Sequence, residues 1–175
     1  MMDIAIVGAT GNVGRKTIEV LENKNISIDN LYLLASSKSV GKKITFKKKE
    51  YEINDLDSFD FSKVKISFFA AGGKISEKFA EKAAQKCFVI DNSSKFRMDP
   101  DVPLVVPQVN SNSLKNIKKN IIANPNCSTA QLVIALKPLH DLYIIKRVVV
   151  STYQSVSGGG KNPMDELIEQ TKKVL

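Results

Sequence analysis

Within the first 24 residues an apolar run passes through a glycine-rich turn into an amphipathic stretch, and no other segment restricts the fold as severely. Residues 3–8 read as a buried strand, and 11–24, with Val13, Thr17, Val20 and Leu21 at helical spacing, as a helix. A strand that turns at once into a helix calls for a parallel neighbour, because the chain must cross back over the sheet before it pairs again. The alternation recurs. Leu31–Ala35, 64–70, 88–91 and Ile121–Ala123 read as buried strands, 75–86 and 128–140 as helices, and 104–106, between prolines, as extended chain. Segments 44–46 and 51–53, separated by lysines, read as short edge strands. The pattern predicts a doubly wound parallel sheet of the α/β class with helices on both faces. The tail differs: 143–154 reads as a long β-rich strand, 155–163 as a glycine-rich loop, and 164–175 as a helix.

The turn Gly8-Ala9-Thr10-Gly11-Asn12-Val13-Gly14 sits where glycines let backbone N–H groups approach a pyrophosphate at a helix N-terminus. Its glycines at 8, 11 and 14 do not follow the GxGxxG spacing, so position carries the argument. An acid closing the second strand would bind the ribose of NAD; here Ser36-Ser37-Lys38-Ser39 stands instead, which favours the 2′-phosphate of NADP. Lys38 also reads as an ordinary surface lysine. Cys127, in Asn124-Pro125-Asn126-Cys127-Ser128-Thr129-Ala130-Gln131, falls at the first turn of a helix, where exposed N–H groups and the helix dipole favour the nucleophilic thiolate. Cys87, just before a buried strand, reads as a core cysteine. Arg97, in Asn92-Ser93-Ser94-Lys95-Phe96-Arg97-Met98, follows the carboxyl end of a strand, where open α/β sheets bind ligands. Its planar fork would suit an anionic group flanked by Ser and Asn donors, and the competing reading is a salt bridge to Asp99 or Asp101.

Charge narrows the partners. The 175 residues carry 26 basic and 18 acidic side chains, a net charge of +8, and all but three of the bases are lysines. They are scattered, with the densest run (Lys42, Lys43, Lys47, Lys48, Lys49) flanking a hairpin, so no nucleic-acid partner is expected. No apolar run reaches the roughly 18–20 residues of a membrane span, and Asp3 stands where a secretory signal would carry bases. A soluble, cytoplasmic protein without a membrane partner is predicted. Two cysteines make neither a disulfide framework nor a zinc pattern, and no metal is expected.

Four motifs, 8–14, 92–98, 124–131 and Ser151-Thr152-Tyr153-Gln154-Ser155-Val156-Ser157-Gly158-Gly159-Gly160-Lys161, resemble in kind and order those of bacterial aspartate-semialdehyde dehydrogenases. The Asn-Cys-Ser-Thr context with Gln154 speaks against the related N-acetylglutamyl-phosphate reductases. The resemblance implies a Rossmann-like cofactor domain over 1–126 and, over 127–175, the truncated start of an α+β catalytic and dimerisation domain. It implies NADPH-dependent reductive dephosphorylation of aspartyl 4-phosphate to aspartate semialdehyde, a step toward lysine, threonine, methionine and diaminopimelate. Cys127 would then be the nucleophile, Asn126 and Gln154 would orient the substrate, and Arg97, with Asn92 and Ser94, would hold its phosphate. Gly8, Thr10, Gly11, Asn12, Val13, Ser36, Lys38, Ser39, Ala71, Gly72, Ser76, Ser157 and Gly158 would contact NADP. A homodimer or a complementing carboxyl-terminal half is the implied partner, because family members run to about twice this length and their second half supplies a catalytic His and a substrate-binding Arg. The one histidine here, His140, lies three turns along the helix of Cys127. That shortfall keeps open a reading of the chain as a catalytically silent nucleotide-binding or assembly module.

Overall fold

The computed structural model describes residues 2–24 and 26–175, which fall into two compact units, Met1–Asn126 and Cys127–Leu175. The first unit is built on a seven-stranded sheet. In chain order its elements are β1 (Ile4–Val7), α1 (Asn12–Asn23), β2 (Leu31–Ala35), β3 (Lys43–Phe46), β4 (Lys49–Asp55), β5 (Ile66–Phe69), α2 (Gly73–Ala84), β6 (Phe88–Asp91), the short α3 (Pro107–Asn110) and β7 (Ile121–Ala123). The spatial order is β3-β4-β2-β1-β5-β6-β7, and every pairing except the β3–β4 hairpin is parallel. Of the two strands of this hairpin only β3 lies at an edge of the sheet, β7 forming the other edge. Strand β4, read from its lysines as an edge strand, is interior because it also pairs in parallel with β2 through Leu33 and Ile53.

Right-handed crossovers decide which face each helix covers: β1-α1-β2 steps one way from the centre of the sheet and β5-α2-β6 the other, so α1 and α2 lie on opposite faces. Ile18 and Leu21 of α1 pack on Ile4, Ile6, Leu31, Leu33 and Ile53. On the other face, Phe79, Ala80, Ala83 and Ala84 of α2 pack on Ala5, Val7, Phe69, Val89 and Ile121. The stripe expected on α1 is therefore corrected. Gly14, Ile18 and Leu21 are its buried positions, whereas Val13 and Val20 are nearly half exposed. With Lys16 and Thr17 those two valines wall an open, mainly apolar groove floored by Phe68 and Ile90. Alternation explains the floor. In β5 and β6, Ser67, Phe69, Val89 and Asp91 are buried under α2, while Ile66, Phe68, Phe88 and Ile90 point to the α1 face, which that helix covers only in part.

The second unit contains α4 (Cys127–Tyr143), α5 (Lys161–Val174) and a single turn over Val156–Gly159. None of its described residues is buried. The strand expected over 143–154 is not formed: Tyr143 closes α4, Ile144 turns at φ 54°, and the rest lies in neither helix nor strand. β-branched residues favour extended chain, but a strand exists only with a partner to complete its ladder. Among the described residues no helix is long and apolar enough to cross a membrane.

Candidate active site

The first cluster is the turn after β1. Its rigidity comes from backbone bonds: the Gly8 and Ala9 amides donate to the Leu34 carbonyl (2.8 and 3.2 Å), Gly11 N to Gly8 O (3.0 Å) and Arg15 N to Gly11 O (2.9 Å). Two glycines are obligatory. Gly8 has φ 83°, and a β-carbon on Gly14 would lie 2.2 Å from the Gly8 carbonyl oxygen. That contact lets α1 begin directly against the strand, leaving the Val13 and Gly14 amides at the helix start without intrahelical acceptors. Thr10 is half-buried, and Gly11, Asn12 and Val13 are exposed beside it. The turn fits a dinucleotide phosphate: a close backbone approach, with helix-start amides that have no intrahelical acceptor. After β2, Ser36 and Lys38 are exposed and Ser39 half-buried on a short turn over Ser37–Ser39. Ala71 and Gly72 are exposed just before α2. Ser76 is different. It is fully buried, its hydroxyl donates to Asp91 at 2.7 Å, and its side chain is out of a ligand's reach.

The second cluster lies at the carboxyl ends of β6 and β7. Arg97 Nε donates to the Asn124 carbonyl (2.9 Å) and Nη2 to the Asn92 carbonyl (3.1 Å), so one edge of the guanidinium is pinned across two strand ends. The side chains of Asn92 and Asn124 hydrogen-bond to each other. The competing salt bridges do not form. Asp99 pairs with Lys119 at 2.9 Å and Asp101 with Lys118 at 2.8 Å, and Lys119, helped by the Asp101 amide, holds the Asp99 carboxyl below its ordinary range. Among the described residues Arg97 therefore has no carboxylate partner, and an oriented guanidinium without one can receive an oxyanion. Ser94 is exposed on the same loop. Asp91, Ser93 and Asn124 escaped the sequence reading; an acid closing the apolar strand 88–91 was the available signal.

In the second unit, Cys127 is the exposed first residue of α4, next to exposed Asn126, and Gln154 Nε2 donates to its sulfur at 3.5 Å across 27 residues of chain. His140 is on the last turn of the same helix, about 20 Å along its axis from Cys127 at 1.5 Å per residue. Ser157 and Gly158 are exposed on the turn before α5. Cys87 is buried in the first unit; desolvation pushes its thiol up, partly offset by the Ser67 hydroxyl. Limited iodoacetamide followed by peptide mapping is expected to label Cys127 at least about tenfold faster than Cys87. Equal labelling would contradict the difference in access.

A parallel sheet whose first strand turns through glycines into a helix is the architecture of dinucleotide-binding domains. The chain belongs to the semialdehyde dehydrogenase family: residues 3–117 match its NAD-binding domain and 136–175 its dimerisation domain. It is 55% identical over 172 residues to an aspartate-semialdehyde dehydrogenase of Aquifex aeolicus, covering 97% of this chain and 51% of that one. The corresponding figures for a relative of the same name in Rickettsia conorii are 53%, 97% and 51%. The chain thus spans about half the length of the curated relatives it matches. Among solved structures it is similar to aspartate semialdehyde dehydrogenase II of Vibrio cholerae complexed with ASA (TM-score 0.95, 48% identity, 99% of this chain and 52% of that one). It is also similar to the Candida albicans enzyme with NADP (TM-score 0.68, 29% identity, 83% and 48%).

Proposed function

We propose that the chain carries the cofactor domain and the nucleophile of an NADP-dependent aspartate-semialdehyde dehydrogenase, acting on aspartyl 4-phosphate and aspartate semialdehyde, with the domain division at Asn126. The observation that carries the reading is the Gln154 amide on the exposed sulfur of Cys127 at the start of a helix. Amide and helix start both suit a sulfur that cycles between thiolate and thioester. The Cys127 thiolate attacks the acyl carbon, the bond to phosphate breaks, and phosphate departs with the electron pair. The nicotinamide, when bound, supplies the hydride that takes the acyl group to the aldehyde level. Cys127 then leaves as thiolate. Arg97, with Asn92 and Ser94, holds the phosphate; Asn126 and Gln154 orient the acyl group; and the turn Gly8 to Val13, with Ser36, Lys38, Ser39, Ala71, Gly72, Ser157 and Gly158, holds the cofactor. A homodimer, or a second half supplied by another polypeptide, is the proposed assembly.

A second reading, a nucleotide-binding module without turnover of its own, is favoured by one observation: the single histidine stands far from Cys127 along α4. Proton transfer by a placed group is worth typically about 10²–10⁴ in rate. Assay of aspartate-semialdehyde oxidation with NADP and phosphate separates the two: ordinary turnover by this chain would overturn the second reading, and none even on a polypeptide of the relatives' length would overturn the first. The cofactor preference has its own test. Lys38→Ala is expected to weaken NADP binding by about 1–2 kcal/mol, one charge-assisted contact, with NAD binding unchanged. Equal losses for both cofactors in a fluorescence titration would remove Lys38 from the 2′-phosphate site.

A further inference from the structure

We propose that Asp91 is a positioning residue for the oxyanion site, its buried carboxylate setting the loop that aims Arg97. The inference rests on the reading of Arg97 as the phosphate-holding group. Asp91 closes β6 and is fully buried, yet among the described residues it has no cationic partner in any ion pair. Three donors satisfy it instead: the Ser76 hydroxyl (2.7 Å) and the Ser93 amide (3.1 Å) on Oδ1, and the Ser93 hydroxyl (2.7 Å) on Oδ2. A charge at this depth persists only when its lone pairs are occupied, so the three donors are fixed by it as much as it is by them.

Two of the three donors lie on the loop itself. Ser93 is held twice by the carboxylate and accepts from Lys95 N with its own oxygen (3.1 Å), which shapes the backbone from Asn92 onward. Ser76 ties the same carboxylate to the first turns of α2, so the loop is referenced to the helix as well as to the sheet. The Asp91 carbonyl accepts from Asn124 N (2.8 Å), locking the ends of β6 and β7 together. The two carbonyls that grip Arg97 belong to Asn92 and Asn124, the neighbours of Asp91 in sequence and across the sheet. Buried Phe96 anchors the far side. A neutral amide matches the site only in part: with its oxygen at Oδ1, its NH2 faces the Ser93 hydroxyl, which must turn its proton away and give up the bond it now donates to Oδ2.

The test is nuclear magnetic resonance of the full chain, following the Arg97 Nε–H signal, identified by its loss in Arg97→Lys, with inorganic phosphate as the probe. In Asp91→Asn the Nε–H hydrogen exchange is expected to quicken about tenfold and the phosphate dissociation constant to rise about tenfold, the scale of one buried charge-assisted hydrogen bond lost. A role confined to stability would lower the melting temperature and leave both values unchanged. A folded Asp91→Asn chain with wild-type exchange and phosphate affinity overturns the proposal. If Asp91→Asn does not fold, Ser93→Ala removes one link alone; at least about threefold faster Nε–H exchange supports the proposal and unchanged exchange overturns it. If phosphate does not bind the wild-type chain, the reading of Arg97 fails, and Nε–H exchange in the variants still decides the role of Asp91.

Discussion

Gly14→Ala is expected to destabilise the first unit by about 3 kcal/mol or more, lowering its thermal midpoint by about 10 °C. The added carbon would lie 2.2 Å from the Gly8 oxygen, 2.8 Å from its carbonyl carbon and 2.9 Å from Ala9 Cα. All three are backbone atoms of a turn held at both ends, so no side chain can swing aside. Relief requires α1 to back away from β1, which unseats Ile18 and Leu21 from the core and opens the amide cradle. Dinucleotide affinity should fall with stability. A variant melting within about 2 °C of the parent would mean that the close approach of α1 does not constrain the turn.

Cys127→Ser is expected to abolish the proposed reaction, by a factor on the order of 10⁴ or more, measured as phosphate-dependent NADP reduction on a polypeptide of the relatives' length. A serine hydroxyl keeps the place on α4 and can still accept from Gln154, so geometry survives while the thiolate is lost. Gln154→Ala, which removes one donor and leaves the sulfur, should cost less, about 10²-fold. Activity of Cys127→Ser within about tenfold of the parent would remove Cys127 from the nucleophile's role.

What could be read without coordinates divides along physical lines. The β1–turn–α1 unit and the parallel alternation were legible because they depend on local periodicity and on glycine, both written in consecutive residues. The extent of the buried stripe on α1 was not: Val13 and Val20 have the same chemistry as Ile18, and only the crossover geometry shows that they overhang the sheet. Segment 143–154 failed for the complementary reason, since Val148, Val149 and Val150 state a preference that needs a neighbouring strand to be realised. At the candidate site, Arg97 and Cys127 stood out by residue type. Gln154 came in only through the family motif, and the two carbonyls that hold Arg97 not at all, because a backbone acceptor leaves no mark on side-chain identity. Ser76 departs in the opposite direction: the family resemblance counts it among the cofactor contacts, and here its hydroxyl serves a buried acid.

The absence of any buried residue in Cys127–Leu175 has a calorimetric meaning. Heat-capacity change on unfolding follows newly hydrated apolar surface, and α4, α5 and the chain between them already expose theirs in the native state. The chain should therefore unfold with the signature of its first 126 residues, about 1.5–1.9 kcal/mol/K, rather than the 2.1–2.6 of a fully packed chain of 175. Whatever covers α4 and α5 would restore the difference, so the increment in heat capacity on assembly measures how much of the hydrophobic interior this polypeptide leaves to another surface.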